Sequence, residues 1–389
     1  MEFSWWLVPL AGILGWCVGH EKIRQAVSGK SQSRGTTDLS ALLPGHDDRV
    51  ERDQELDSLL RQYPVEDASF DIYRTLGDAF RRRGEYSRAI GVHEHLLATG
   101  KLGSSQRRKA ILELSRDYAG AGLLDRVEAL LVPLVEEDPS EQEASAHLLR
   151  LYEKQQDWQS AIDLASSNQS IPEDERSELI AQYCCEIAAL RELEDDLEQS
   201  EKWLKRALKS EPSCSRALLM LGRQSIELKQ FDTALEYFNE VEQHHPELSP
   251  EIADSVFYAL EQNGDSTVIR QHLDYIRQRQ NSYSVIKLGR DAISRLEGEK
   301  NASDFFIEQI ARRPSLKGLR DWAERELEQT KPRDKEKVAA MVEMLRHVVE
   351  EKPVYRCDRC GYRCKQIQWR CPGCENWNSV KVIIGAEGE

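Results

Sequence analysis

The chain has 389 residues, of which 40% are hydrophobic and 31% charged, so its composition excludes a wholly disordered polypeptide and suffices for two or three domains. The formal net charge is −15, which repels phosphate backbones and argues against nucleic acid as a partner. Of the nine cysteines, five lie in the last 33 residues, which is not the spacing of a disulfide framework.

Residues 1–20 are predicted to form a transmembrane anchor. The segment from Phe3 to Gly19 reads FSWWLVPLAGILGWCVG and carries no charge. As a helix it is about 26 Å long, which is enough to cross a thin hydrocarbon core. The basic residues that follow place the rest of the chain in the cytoplasm: Lys22, Arg24, Lys30 and Arg34. Residues 21–35 are then a cytoplasmic linker.

Other interpretations of this first segment are less favoured. A cleaved signal peptide requires a basic start and a small-residue cleavage site, and the sequence has neither. Cleavage of a lipoprotein type before Cys17 is disfavoured by the bulky Trp16. A buried core helix is the third alternative, and it fits poorly with the Gly/Ser-rich tether that follows.

Residues 36–350 repeat with a period of about 34 residues, the period of tetratricopeptide units. The clearest copy runs from Asp71 to Gly100. Small residues recur at the eighth and twentieth positions of the copies, where they let two antiparallel helices approach: Gly77, Ser115, Ala188 and Gly222 at the eighth, and Ala89, Ala161, Ser200 and Ala234 at the twentieth. Pro139, Pro212 and Pro246 end second helices, because proline lacks the N–H group.

The fold class is therefore predicted to be all-α, a tetratricopeptide-repeat superhelix with one N-terminal transmembrane helix and a small C-terminal metal domain. An irregular all-helical domain is the alternative. The two ends of the repeat region match the pattern less well. Residues 36–66 are expected to be an eroded first unit that keeps only part of the repeat pattern, residues 282–314 a weak seventh unit, and residues 316–350 two capping helices. Such stacked hairpins bind peptides, helices or domains and seldom perform chemistry.

Residues 353–389 are predicted to form a rubredoxin-like or zinc-ribbon domain. Two Cys-x-x-Cys pairs, separated by ten residues, supply four thiolates for one ion: Cys357, Cys360, Cys371 and Cys374. Gly361 gives the first turn its backbone freedom, and Pro372-Gly373 is expected to do the same for the second. Four sulfur ligands suit zinc or a single iron, and the sequence does not choose between them. The fifth sulfur, Cys364, is expected to lie outside this ligand set.

Aromatic and charged residues of this domain raise two further expectations. Tyr355, Tyr362, Trp369 and Trp377 are expected to form a small core around the ion, with a contact face as the alternative. The C-terminal domain is basic between its two Cys-x-x-Cys pairs, whereas the repeats are acidic, most densely at residues 192–198. We therefore expect this basic domain, residues 353–389, which we call the knuckle, to dock onto the acidic helices. No phosphate-binding loop, HExxH or GxSxG motif is present, so the chain is not predicted to be an enzyme and no catalytic residue is assigned.

The order of these parts resembles the lipopolysaccharide assembly protein B family. The most specific matches are LGDAFRRRGEYSRAI at residues 76–90 and YRCDRCGY…WRCPGCENW at residues 355–377. The resemblance implies a single-pass inner-membrane protein with its bulk on the cytoplasmic side and an iron or zinc centre packed against the repeats. The anchor with Glu2 and Pro9, the eroded first repeat and Cys364 depart from the family pattern.

The resemblance also implies function and partners. Family members act as adaptors for the membrane protease FtsH, promote degradation of the committed-step deacetylase LpxC, and so restrain lipid A synthesis. Other lipopolysaccharide assembly proteins are further expected partners, and a homo-oligomer is open. Two alternative functions remain: electron transfer through a rubredoxin-like iron, and a general co-chaperone whose repeats clamp acidic peptides.

Overall fold

The computed structural model describes residues 58, 69–98, 102–138, 141–264, 266–278, 282–329, 331 and 333–388. The predicted anchor (1–20), the predicted linker (21–35) and nearly all of the eroded first unit lie outside these residues. Among the helices that are described, none has the length and apolarity needed to cross a membrane. The chain divides into two compact units, Met1–Leu102 and Gly103–Glu389.

Sixteen α-helices, one short 3₁₀ helix (Pro246–Leu248) and three short strands are found in the described part of the chain. The first unit contains α1 (Phe70–Arg82) and α2 (Tyr86–Ala98). The second contains α3 (Ser104–Gly120), α4 (Leu124–Glu137), α5 (Gln142–Gln155), α6 (Trp158–Ser167), α7 (Glu173–Leu193), α8 (Leu197–Ser210), α9 (Ser215–Glu227), α10 (Phe231–His244), α11 (Ser249–Asn263), α12 (Ser266–Gln278), α13 (Tyr283–Glu297), α14 (Glu299–Arg312), α15 (Leu316–Gln329), α16 (Lys335–Glu351), β1 (Tyr355–Cys357), β2 (Arg363–Cys364) and β3 (Val380–Val382).

Successive helices pair as hairpins, which confirms the predicted tetratricopeptide type of fold. The small residues at the eighth position lie where the second helix comes closest. A Cβ atom on Gly222 would overlap the ring of Phe238, and one on Gly77 would overlap the ring of His93. The small residues at the twentieth position are all fully buried: Ala89, Ala161, Ser200 and Ala234. The predicted weak seventh unit is a hairpin as well, but its approach is looser: α13 and α14 pack together, and a Cβ atom on Gly289 would lie 3.5 Å from the ring of Phe305.

Left-handed backbone marks the turn inside most hairpins. Gly84, Gly122 and Gly264 have φ values of 77°, 76° and 71° at these turns. The corresponding residues in three other hairpins are not glycine: Gln156, Asp195 and Lys229, with φ values of 59°, 59° and 58°. The packing of the two helices therefore imposes the left-handed turn even where a side chain opposes it.

The C-terminal strands form an antiparallel sheet in the order β2-β1-β3. Tyr355 lies opposite Cys364 on one side and Val382 on the other. Tyr355, Val380 and Val382 are buried in the same apolar cluster as Phe238 and Phe305. The sheet is thus part of one continuous core with the helices of the second unit.

We predict that Gly222→Ala destabilises the fold by about 1–3 kcal/mol, because the added methyl group overpacks the contact with Phe238. Urea unfolding followed by far-ultraviolet circular dichroism measures the change. Gly91→Ala is the matched control, since Gly91 is also inside a helix but an added Cβ meets nothing within 4 Å. The control should be neutral or stabilising by up to about 1 kcal/mol. Equal effects of the two substitutions would contradict this account of the close approach.

Candidate metal centre and its contact with the helices

Two turns of the same geometry present the four cysteines. In the first, the N–H of Gly361 donates to the carbonyl of Cys357 at 2.9 Å, and the N–H of Cys357 donates to the carbonyl of Tyr362 at 2.8 Å. In the second, Glu375 donates to Cys371 at 2.8 Å, and Cys371 donates to the carbonyl of Asn376 at 3.0 Å. The two turns are therefore related residue by residue, at an offset of fourteen positions.

The second turn corrects one expectation from the sequence. The residue equivalent to Gly361, with its φ of 76°, is Glu375 with a φ of 58°, so Pro372-Gly373 does not supply the left-handed position. Gly373 is small for another reason. A Cβ atom there would lie 3.3 Å from the sulfur of Cys360, so glycine lets the first cysteine turn approach the second.

The four predicted ligand atoms lie together. The Sγ atoms of Cys357, Cys360, Cys371 and Cys374 are all within 4.8 Å of one another. Two of the separations across the knuckles are 3.7 Å (Cys357 to Cys374) and 3.6 Å (Cys360 to Cys371). A tetrahedral ion with metal–sulfur bonds of about 2.3 Å requires sulfur–sulfur distances of roughly 3.8 Å. The donor set and its spacing therefore fit one zinc or iron ion, and the identity of the ion stays open.

The thiols do not ionise equally in this arrangement. The neighbouring Ser379 hydroxyl, with backbone N–H groups assisting, lowers the pKa of Cys357 to about 6. The N–H of Tyr362 lowers the pKa of Cys360, but partial desolvation and the three neighbouring cysteines outweigh it and raise that pKa to about 12. Four thiolates at this spacing repel one another, so they need a cation between them.

Cys364 lies outside the cluster, as expected. It is in β2, opposite Tyr355, and packs half-buried against the shared apolar core. Burial raises the pKa of its thiol. Both observations favour a structural role for this fifth sulfur.

A buried carboxylate joins the knuckle to the helices. Glu153, near the end of α5, is 9% exposed and accepts three hydrogen bonds. Arg370 Nη2 donates to its Oε2 at 2.8 Å, Trp377 Nε1 to its Oε1 at 2.9 Å, and the Tyr183 hydroxyl to its Oε1 at 2.7 Å. Burial, and then the Glu153 charge, raise the pKa of Tyr183, so this hydroxyl remains a donor.

Aromatic rings surround this ionic contact. Trp377 meets Trp158 and Tyr183 edge-on, with ring centroids 6.1 Å and 5.9 Å apart. The Arg370 guanidinium lies 5.7 Å from the centroid of the Trp377 ring. Of the four aromatics expected to surround the ion, only Tyr355 is deeply buried in the domain, whereas Tyr362 is 40% exposed. Trp377 belongs to the contact face, which was the alternative.

The predicted docking of the basic knuckle onto acidic helices is confirmed, but it uses other acids. Besides the Arg370–Glu153 pair, Asn378 donates to Glu178 at 2.6 Å, and Lys381 lies 4.0 Å from Glu247. The dense acidic run at residues 192–198 lies instead at the α7–α8 turn, where Asp196 caps α8. No local signal marks Glu153 in the sequence, because Lys154 and Gln155 follow it at the polar end of α5.

Helical hairpins and a four-cysteine knuckle together define a tetratricopeptide-repeat protein with a C-terminal rubredoxin-type metal-binding domain. A family model described as a tetratricopeptide repeat matches residues 189–249, and one described as a rubredoxin metal binding domain matches residues 355–381. The chain is 28% identical to Lipopolysaccharide assembly protein B of Escherichia coli (strain K12), over 100% of both chains. It is 27% identical to Lipopolysaccharide assembly protein B of Haemophilus influenzae, over 100% of this chain and 99% of that one. These similarities confirm the resemblance stated from the sequence.

Among solved structures, the similar ones include MamA (41-end) from Desulfovibrio magneticus RS-1. It is 15% identical with a TM-score of 0.29, and the match covers 46% of this chain and 96% of that chain.

We predict that Cys371→Ser removes the bound ion, because three thiolates hold it less tightly than four. Metal content of the purified full chain, measured by mass spectrometry, tests the loss, and circular dichroism should show that the helices remain. Cys364→Ser is the matched control and should keep a full equivalent of metal. Retention of a full equivalent by Cys371→Ser would show that the assigned ligand set is wrong.

We predict that Glu153→Leu destabilises the second unit by about 3 kcal/mol, because three donors lose their acceptor and a charge pair is broken. This is near the lower end for a buried pair, since the Arg370 side chain is 25% exposed and partly screened. Denaturant unfolding followed by tryptophan fluorescence measures the loss.

The control for this prediction is Glu375→Gln. Glu375 also lies near Arg370, at 3.5 Å, but it is 67% exposed, so its replacement should change stability little. A loss of the same size in both variants would refute the special role of the buried carboxylate.

Proposed function

We propose that the chain is a non-catalytic adaptor that regulates lipopolysaccharide synthesis at the inner membrane. The full-length similarity to two proteins named Lipopolysaccharide assembly protein B carries this proposal. The stacked hairpins support it, because repeat surfaces of this type bind proteins. The chain would act by holding two other proteins together rather than by transforming a substrate.

The anchor and the linker give the adaptor its location. Residues 1–20 cross the membrane, and residues 21–35 connect them to the repeats of residues 36–350 on the cytoplasmic side. The repeats are thereby kept near any membrane protein beside the anchor, which raises the effective concentration without a tight intrinsic affinity.

The finer proposal concerns the two partners. The repeats present the deacetylase LpxC to the membrane protease FtsH, and this limits lipid A synthesis. The ion, held by Cys357, Cys360, Cys371 and Cys374, cross-links the two knuckle turns and so fixes Arg370 and Trp377 against Glu153. The metal domain, residues 353–389, thus acts as a structural support for the binding surface.

We predict that depletion of the protein raises the cellular level of LpxC, because the deacetylase is no longer brought to the protease. Quantitative immunoblotting during depletion measures the change. Re-expression of the intact chain should restore the low level, and re-expression of Cys371→Ser should restore it only in part. An LpxC level that does not respond to depletion would contradict the adaptor proposal.

Crosslinking in membranes tests whether the chain contacts the two proposed partners directly. Intact protein should co-purify with FtsH and LpxC, and the yield of LpxC should fall for Cys371→Ser if the knuckle supports the binding surface. Cys364→Ser is again the matched control.

Electron transfer is the second candidate function, and the exposure of Cys360 favours it, since an electron could leave through that sulfur. Zinc-loaded protein distinguishes the two functions. If the zinc form restores LpxC turnover in a reconstituted membrane system, redox chemistry is not required.

A further inference from the structure

A cleft of about 1120 Å³ lies between the knuckle and the helices of the second unit. Its helical wall includes residues of α5, α7 and the start of α9, the first helices of three successive hairpins, and residues of adjoining turns such as Glu211 and His245. Its other wall includes Trp369, Trp377 and Asn378 of the knuckle. The volume slightly exceeds that of ordinary small-molecule sites, about 300–1,000 Å³, so a larger occupant fits better.

Two buried amide oxygens in this cleft have no hydrogen-bond partner among the described residues. Gln182 on α7 is 1% exposed, and its Oε1 is unpartnered while its Nε2 faces the sulfur of Cys214 at 3.8 Å. Asn378 Oδ1 is buried and unpartnered as well. Because Asn378 Nδ2 donates to the Glu178 carboxylate at 2.6 Å, the orientation of this amide is fixed and its oxygen must be an acceptor.

These acceptors lie close together on one face of α7. Glu178 and Gln182 are four residues apart, so they are neighbours on the helix surface, and Asn378 is attached to Glu178. Asp174 also lines the cleft, four residues before Glu178, and it is exposed. The face therefore offers a row of carboxylate and amide oxygens, which matches a ligand that donates several hydrogen bonds.

The basic residues of the knuckle do not neutralise the negative charge of this row of acceptors, because Arg370 and Lys381 are paired elsewhere. Arg370 is engaged by Glu153 and Glu375, and Lys381 lies near Glu247. Arg150 and Arg359 also line the cleft and can donate to carbonyl oxygens of an occupant. A ligand with both N–H donors and carbonyl acceptors can hydrogen-bond to the acceptor oxygens of α7 and to the arginine donors. A bare cation could bind only the acceptor oxygens.

We propose that this cleft binds an extended peptide segment of a client protein, with a Lys or Arg side chain of that segment against the Asp174–Glu178–Gln182 face of α7. The inference rests on the proposed adaptor function, because it identifies the kind of segment by which the adaptor holds its client. Peptide N–H groups or the basic side chain donate to Gln182 Oε1 and Asn378 Oδ1. The indole of Trp369 borders the same space and offers an apolar wall for the aliphatic stem of the basic side chain.

Selection from a display library of short random peptides on the metal-loaded full chain tests the proposal. Selected peptides are synthesised with a fluorescent label, and their dissociation constants are measured by anisotropy. We expect enrichment of Lys and Arg over Asp and Glu. Gln182→Met and Glu178→Gln should each weaken binding by about tenfold, since each removes an acceptor or its charge.

The two variants keep the free protein folded for specific reasons. Gln182→Met replaces an unpaired buried acceptor by an apolar side chain of similar volume, so its thermal midpoint should not fall. Glu178→Gln retains a carbonyl oxygen for Asn378. Glu201→Gln on α8 is the matched control, because Glu201 pairs with Lys205 on the surface, and peptide binding should not change.

Several outcomes would overturn the inference: enrichment of acidic peptides, no selected peptide, or selected peptides whose binding ignores Gln182 and Glu178. Each would mean that the cleft holds only water or a different ligand. If LpxC still responds to depletion in any of these cases, the adaptor function stands and only the peptide cleft is rejected.

Discussion

Glu153 receives a guanidinium, an indole N–H and a phenol hydroxyl within one buried space, and this contact orients the C-terminal domain against the helices. Two of these donors come from the knuckle and one from α7. A buried carboxylate is costly unless its oxygens are fully hydrogen-bonded, so the three donors must be in place together. The contact therefore specifies one orientation of the knuckle against the helices, and a slightly rotated knuckle would leave a buried charge without partners.

The metal site and this contact are connected through a very short stretch of chain. Arg370 directly precedes Cys371, and Trp377 follows Cys374 by three residues. An ion bound by the four cysteines would hold the second turn in shape, and the shape of that turn points both donors at Glu153. Loss of the ion would thus affect the helical face at a distance, although no helix residue is among its ligands. The apolar contacts of Val380 and Val382 remain in that case, so the domain would loosen before it separated.

The sequence was sufficient to predict the hairpins, the four-cysteine cluster and the sign of the charges that meet. Gly77 and Gly222 were recognisable because a close helix approach admits only small residues, and the cysteines because their ligand spacing is restrictive. The acid that binds the knuckle could not be predicted, since Glu153 and Arg370 are 217 positions apart and local patterns contain no such information. The role of Trp377 was uncertain for the same reason: an aromatic residue near a knuckle serves a core and an interface equally well.

The left-handed turns have a consequence for how such chains diverge. Gln156, Asp195 and Lys229 keep the backbone path that Gly84, Gly122 and Gly264 follow in other hairpins. Helix packing over the whole hairpin compensates for the strain of each side chain, so the signature glycine is dispensable one copy at a time. The sequences of such repeats can therefore diverge until the glycine pattern is no longer recognisable, while each hairpin keeps its fold.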